Sequence, residues 1–426
     1  MSNSVPEGWV ESSLGNIADI RFSNVDKKSD FENEEPVKLC NYMDVYSNSK
    51  ITNSLPFMQA TAKDREIKKF SLLKNDVIIT KDSETPDDIA VSAYVSEDLK
   101  SVVCGYHLAM LRPEQSLISG EYLNHLFGLD DIQHYFYLLA NGITRFGLTT
   151  DAINNAYIIY PPLPEQKKIA AILTSVDTVI EKTQAQIDKL KDLKTGMMQE
   201  LLTKGIGHTE FKDSPVGWIP VEWEVDSIES FGISILDGDR GKEYPKEKDF
   251  FQNEYCLFLS AKNVTKHGFK FNETVYITKK KDDLLRKGKL IRNDIVITTR
   301  GTVGNIALYD DSISYNHIRI NSGMAIIRNQ EDKLDTEYLN LVLHSPLVCE
   351  QIELLAFGSA QPQLTIGLIK NLFIPKPDIE EQNKISKSIG SIQEKISIVE
   401  SKLKSLQNTK KALMQDLLTG KVRLKV

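Results

Sequence analysis

The sequence predicts an α+β protein: two homologous globular domains, each followed by a long helix, the helices forming an antiparallel intramolecular coiled coil with pseudo-twofold symmetry. Three observations carry this. The stretch "LPEQKKIAAILTSVDTVIEK" (163–182) returns 216 residues later as "IEEQNKISKSIGSIQEKISI", with Glu165-Gln166 matched by Glu381-Gln382. Both copies continue as an apolar seam with spacings of four and three. Ahead of each, strand-like runs alternate with turn clusters. At 426 residues the chain is long enough for more than one core.

The repeat fixes the boundaries. At the offset of 216, "EYLN" (121–124) recurs at 337–340, Leu148-Thr149 as Leu364-Thr365 and Ile153 as Ile369. Further upstream the offset is 218, where "LLKNDVIIT" (72–80) answers "LIRNDIVIT" (290–298). The expected order is therefore a first globular domain at 1–163, a helix at 164–204 and a linker at 205–216. A second globular domain at 217–377, a helix at 378–420 and a tail at 421–426 follow. Two copies of so long a unit mark a duplication and not a solenoid.

Within each domain, "DVIIT", "DIVITT" and "GMAIIR" read as strands, and helical stretches are expected over about 121–140 and 337–356. Short apolar strands close each unit in "NAYIIYPPLP" and "NLFIPKPDI". Pro164 suits a helix first turn, Asp378 with Glu381 suits a cap, and Gly205 and Gly420 suit left-handed ends.

The first seam runs Ile169, Leu173, Val176, Ile180, Thr183, Ile187, Leu190, Lys194, Met197 and Leu201. The second runs Ile385, Ile389, Ile392, Ile396, Val399, Leu403, Leu406, Lys410, Leu413 and Leu417. Heptads sustained this long belong to a coiled coil, and each seam is the other's natural partner. Lys194 and Lys410 fall at matching seam positions, as snorkelling residues or as polar residues that fix orientation. Gly196 should cost the first helix about 1 kcal/mol relative to Ala. Thirty-nine residues make a rod of roughly 58 Å. Parallel rods would make the linker "KGIGHTEFKDSPVG" run back along that length, although its reach is at most about 50 Å. Antiparallel pairing needs no such return.

Composition excludes several classes. No apolar run would span a bilayer, and "MSNSVPEGWVESS" lacks the basic start and apolar stretch of a signal peptide, so a cytoplasmic protein is expected. The four cysteines are scattered and form no CxxC pair, which disfavours a disulfide framework or structural zinc. "YPPL" (160–163) departs from a methyltransferase motif, "GIG" (205–207) sits in the linker, and "GDRGK" (238–242) is too short for a phosphate loop. No metal-ligand spacing of histidines is present, so neither catalysis nor a metal is expected of this chain.

A two-ended spacer suits a duplex with two half-sites at a set separation, and domains of differing sequence make that target asymmetric and bipartite. The charge balance is less favourable. Net charge is −7, with 14 basic against 23 acidic residues in 1–163, so DNA binding needs a locally basic face. A DNA-independent scaffold gripping two proteins is the alternative. The "PLPEQ" entry, the "LLT(K)G" exits, the domain–helix–domain–helix order and "NDIVITTRGTVGNIALYD" resemble the specificity subunits of type I restriction–modification systems over essentially the whole chain. The resemblance implies two target recognition domains that choose double-stranded DNA. It also implies two modification (methyltransferase) subunits using S-adenosylmethionine to methylate adenine and, in the full complex, two restriction subunits using ATP and Mg²⁺. No cofactor would be held by this chain itself.

Base readout needs Arg, Lys, Asn or Gln on loops. "TKDSETP" (80–86) answers "TTRGTVG" (298–304), which puts Lys81 and Arg300 on corresponding loops. "NGITRFG" (141–147) answers "FGSAQPQ" (357–363), offering Arg145 in one copy and Gln361 and Gln363 in the other. Arg319, in "YNHIRINSG", is a further candidate.

Overall fold

In both repeats the apolar runs are strands buried on both faces. The computed structural model describes residues 5–30, 32–330, 334–356 and 363–425. These form two compact units, Met1–Ala185 with Glu400–Val426, and Gln186–Val399.

In the first unit a five-stranded sheet runs Ala18–Phe22, Leu108–Pro113, Val77–Thr80, Ser92–Val95, Lys50–Ile51. It is antiparallel except for the last pair. Alternate side chains enter separate cores. Val77, Ile79, Ala109 and Leu111 join Tyr122, Phe136 and Ile169, whereas Ile78, Leu108 and Met110 join Val37, Leu39 and Phe70. A strand sandwiched between two cores has no polar face, which is why "VIIT" reads as continuously apolar. A three-stranded sheet of Met58–Ala62, Glu35–Cys40 and Val102–Cys104 lines the second core.

The second unit repeats the plan. A four-stranded antiparallel sheet runs Ser234–Asp237, Met324–Arg328, Asp294–Thr298, Ile306–Tyr309. Ile295, Ile297 and Ile327 face one core, while Val296, Met324 and Ile326 face the other.

Each expected helical stretch is broken into two helices. They are Gly120–Leu126 and Asp130–Leu139 in the first unit, and Thr336–Leu343 and Pro346–Ala356 in the second. Pro346 has no N–H to continue the preceding helix, and the Phe127–Leu129 turn makes the equivalent break.

The long helices span Leu163–Leu201 and Ile379–Leu417, 39 residues each. Every seam position predicted above is buried or half-buried. In the first unit the head of one helix lies against the tail of the other: Asp177 pairs with Lys410 at 2.6 Å, and Glu165 pairs with Arg423, just beyond that tail, at 2.9 Å. Partners descend as the chain ascends, so the pairing is antiparallel. The second unit has the complementary ends, with Lys194 Nζ donating to Gln393 at 2.8 Å and the Ile206 N–H donating to Glu381 at 2.7 Å. The compact units therefore cut across the domain boundaries drawn from sequence, each taking half of each helix.

Both matched lysines cross to the opposite helix instead of only snorkelling. Asp177 and Gln393, their acceptors, are themselves equivalent positions of the repeat. The helix ends follow expectation: Asp378 Oδ1 accepts from the Glu381 N–H at 2.8 Å, and Gly205 and Gly420 take φ of 66° and 73°. Gly196 has nothing packed where a Cβ would lie, and the helix continues through it.

The Glu-Gln pair at each helix start is a fixing point. Fully buried Gln166 accepts from the Ser119 N–H at 2.9 Å and donates to the carbonyls of Leu117 and Pro161 at 2.9 and 2.8 Å. Gln382 likewise accepts from the Asp335 N–H and donates to the Pro377 carbonyl, both at 2.8 Å. Glu165 binds Arg423 and the Leu424 N–H, and the Arg423 hydrogen bond is the main force holding its carboxyl below the usual range. Glu381 binds the Ile206 N–H, His208 and the Trp223 indole.

Candidate nucleic-acid interface

Each unit carries a polar loop cluster where the strand following its central sheet meets a returning segment. In the first, Asp82–Ser83 pairs with Phe146–Gly147, one arm of a hairpin whose other arm is Asn141–Gly142. Gly142 has φ of 152°, and a Cβ there would meet the Arg145 carbonyl at 1.8 Å, so only glycine closes the hairpin this tightly. The tip presents Ile143, 93% exposed, and exposed Arg145.

Arg145 lines an open cleft of about 450 Å³ with Lys27, Tyr42, Tyr46, Asp82, Asp88 and His107. Tyr42 and Tyr46 stack at 5.5 Å, and the Tyr46 hydroxyl donates to Asp88 at 2.7 Å. Burial raises the Tyr42 phenol and the Asp88 hydrogen bond raises that of Tyr46, so both are neutral donors near pH 7. Lys81 does not project into this space. Its ammonium lies 2.8 Å from Asp82, over the rings of Tyr106 and Phe22, and its side chain is 11% exposed. His107 Nδ1 also lies 2.9 Å from the same Asp82 oxygen.

The second unit makes the same rung with opposite chemistry. Leu364 N–H bonds the Thr299 carbonyl at 3.0 Å, as Leu148 N–H bonds that of Lys81 at 2.9 Å. Thr299 is thus the counterpart of Lys81, and Arg300 that of Asp82. The Arg300–Gln363 bridge repeats the Asp82–Gly147 pairing. With its amide oxygen turned toward the guanidinium, Gln363 accepts from Arg300 Nη2 at 3.0 Å and Nε at 3.3 Å. Gln361, the counterpart of Arg145, lies outside the described residues.

Arg319 is not part of this surface. It is buried, paired with Asp282, and donates to the carbonyls of Lys287, Asp282 and Leu285 at 2.6, 2.8 and 3.1 Å. Burial pushes the Asp282 carboxyl up, but its bonds to Lys289 and Arg319 hold it below the ordinary value. Arg319 therefore holds a core loop together.

Sequence reasoning passed over two other arginines. Buried Asp239 accepts from the N–H groups of Gly241 and Arg286 at 2.6 and 2.7 Å and fixes the turn that carries exposed Arg240. Arg240 also donates to the Ser322 carbonyl at 3.2 Å, so it stands with Arg300 on the 321–323 turn. The signal was present in "GDRGK", whose Asp-x-Gly caps its own turn. Asp82 and the Tyr42–Tyr46 stack of the first cleft are neither cations nor amides, so a base-readout rule built on Arg, Lys, Asn and Gln does not point to them. Among the described residues no His, Cys, Asp and Glu cluster could hold a metal, and no helix is long and apolar enough to cross a membrane.

Two copies of one α+β domain, each continuing into a long helix and presenting polar loops of unlike charge, define a duplicated recognition protein. The profile of the type I restriction modification DNA specificity domain matches residues 6–192 and again 220–408. The chain belongs to that family, as a specificity subunit whose business is DNA sequence recognition. It is similar to the putative type I restriction enzyme MjaX specificity subunit of Methanocaldococcus jannaschii, with 27% identity over 427 residues covering 99% of this chain and 95% of that one. The MjaVIII specificity subunit of the same organism is 33% identical over 282 residues, 64% of this chain and 63% of its own. In fold the chain resembles the solved S subunit from M. genitalium, at TM-score 0.58 and 14% identity over 98% of this chain and 97% of that one. A second solved chain, from work on complex assembly of the type I R-M system, gives a TM-score of 0.57 at 17% identity, covering 98% and 100%.

Proposed function

We propose that this chain reads an asymmetric two-part DNA site, one part per repeat, and leaves the chemistry to partner subunits. The observation that carries the reading is the rung that bears Asp82 in one copy and Arg300 in the other. A carboxylate accepts from the amino group of cytosine, whereas arginine donates to O6 and N7 of guanine. Equivalent stations of opposite polarity equip the repeats for unlike bases. Arg145 and Gln363 flank those stations, and Arg240 and Arg286 supply cations for the phosphates. The paired helices set the gap between the two parts. Two modification subunits bring S-adenosylmethionine, and two restriction subunits with ATP and Mg²⁺ complete the nuclease.

Methylome sequencing of a host carrying this chain with its modification partner tests the proposal. The expected result is one motif of two unlike halves separated by a constant gap. A single uninterrupted motif overturns it, and a purified complex that assembles yet shows no preference in random duplex pools favours a scaffold instead.

A further inference from the structure

We infer that Arg300 reads a guanine of the second half-site with the outer end of its guanidinium, and that Gln363 is the positioning residue that aims it. The inference rests on the two-part reading above and adds a base and a mechanism to it. The arginine is rooted at the backbone: its own N–H and that of Thr299 donate to the Gly323 carbonyl at 3.3 and 2.8 Å, and the next rung is the Leu364–Thr299 bond. Its side chain is exposed.

A guanidinium has five N–H donors in a fixed fork. Gln363 takes the Nε and one Nη2 hydrogen at 3.3 and 3.0 Å, which occupies the inner edge. The outer edge, one hydrogen on each Nη, has no other side-chain partner among the described residues. Two parallel donors match the O6 and N7 acceptors of guanine in the major groove. Fixing the fork beforehand removes rotamer freedom that binding would otherwise have to freeze. A phosphate contact needs no such aim. Neighbouring Arg240 differs, since its guanidinium is turned onto Asp237 at 3.1 Å and the Ser322 carbonyl at 3.2 Å. In the first repeat the same station holds Asp82, so the inference applies to one half-site only.

The test uses the complete modification complex, with co-purification of its subunits as the folding control. Binding is measured on duplexes in which each base pair of both half-sites is replaced in turn. Arg300→Ala and Arg300→Lys should both lose roughly ten- to a hundred-fold of discrimination at one G·C pair of the second half-site. Every first half-site position should read as before. Gln363→Leu should weaken discrimination at that same pair, and Gln363→Glu, which keeps the acceptor, should restore it. Full discrimination by Arg300→Lys, relaxation at an A·T pair, or a Gln363→Leu complex indistinguishable from wild type would each overturn the inference. An intact two-part motif with unaltered Arg300 variants removes this inference alone, whereas a wild-type complex lacking a second half-site removes the earlier reading as well.

Discussion

Replacing Lys410 with Met should destabilise the protein far more than replacing Lys194, although the two occupy the same station of the repeat. Lys410 answers Asp177, whose side chain is 12% exposed, at 2.6 Å. Lys194 answers the neutral amide of Gln393, which is exposed. Removing one partner of a buried ion pair costs about 3–5 kcal/mol, because the remaining charge is stranded. The Lys410 side chain is 29% exposed, so water screens the pair and about 2 kcal/mol is the better expectation. That corresponds to a fall in Tm of about 4–8 °C for a unit near 200 residues. Lys194→Met exposes no orphan charge and, since burial already lowers the Lys194 ammonium from its ordinary value, should be nearly neutral. Differential scanning calorimetry at pH 7 measures both. Acid adds a second signature. His125 lies 3.9 Å from Asp177, and without Lys410 it gains reason to hold a proton, so the gap between wild type and Lys410→Met should narrow at pH 5. Equal losses for the two variants, or a gap that widens in acid, would refute the reasoning.

Three other outcomes are expected. Burial depresses His125 to about 4, so the folded state keeps it neutral while the unfolded chain protonates near 6.5; stability should fall as pH drops from about 6.5 toward 4, by roughly 3 kcal/mol in full, and then level off. His125→Gln should flatten that limb in Tm measured against pH. Arg145→Ala should relax one position of the first half-site at a cost of about 1–3 kcal/mol if the residue reads a base, or weaken all sequences evenly if it holds a phosphate, as binding to randomised duplexes will report. Inserting one heptad in each long helix at matched positions adds about 10 Å of rod, and methylome sequencing should show the gap between half-sites longer by about three base pairs.

The helices were the most legible part of the chain. A strict four-three spacing over ten positions leaves one buried stripe, and the repeat supplied its partner, so seam, caps and antiparallel sense followed from local pattern and chain reach. The breaks at Phe127–Leu129 and His344–Ser345 were passed over because apolar periodicity runs through both, although Pro346 marks the second in the sequence. The site was harder still. Arg319 sits in a polar-looking stretch, yet its fate depends on Asp282, 37 residues earlier in sequence and met only in the folded core. Lys81 was drawn inward by the adjacent Asp82 and by Tyr106 and Phe22, contacts that no spacing rule encodes. The offset of 218 already sets Arg300 opposite Asp82, and the hydrogen-bond register of the rung adds Gln363 and Gly147 as their matched cross-strand partners. Loop length differs between the copies, so sequence offset drifts where backbone pairing does not.

The buried glutamines at 166 and 382 behave as a standard fitting. Each grips the body of its own repeat through main-chain groups, an amide before a short helix and a carbonyl at the proline turn, which any residue can supply. A head of foreign ancestry would seat on the shaft provided its backbone reached those stations. Recombination at that junction would then hand the bearer a new address in the genome in a single event, with the frame and everything bolted to it left as they were.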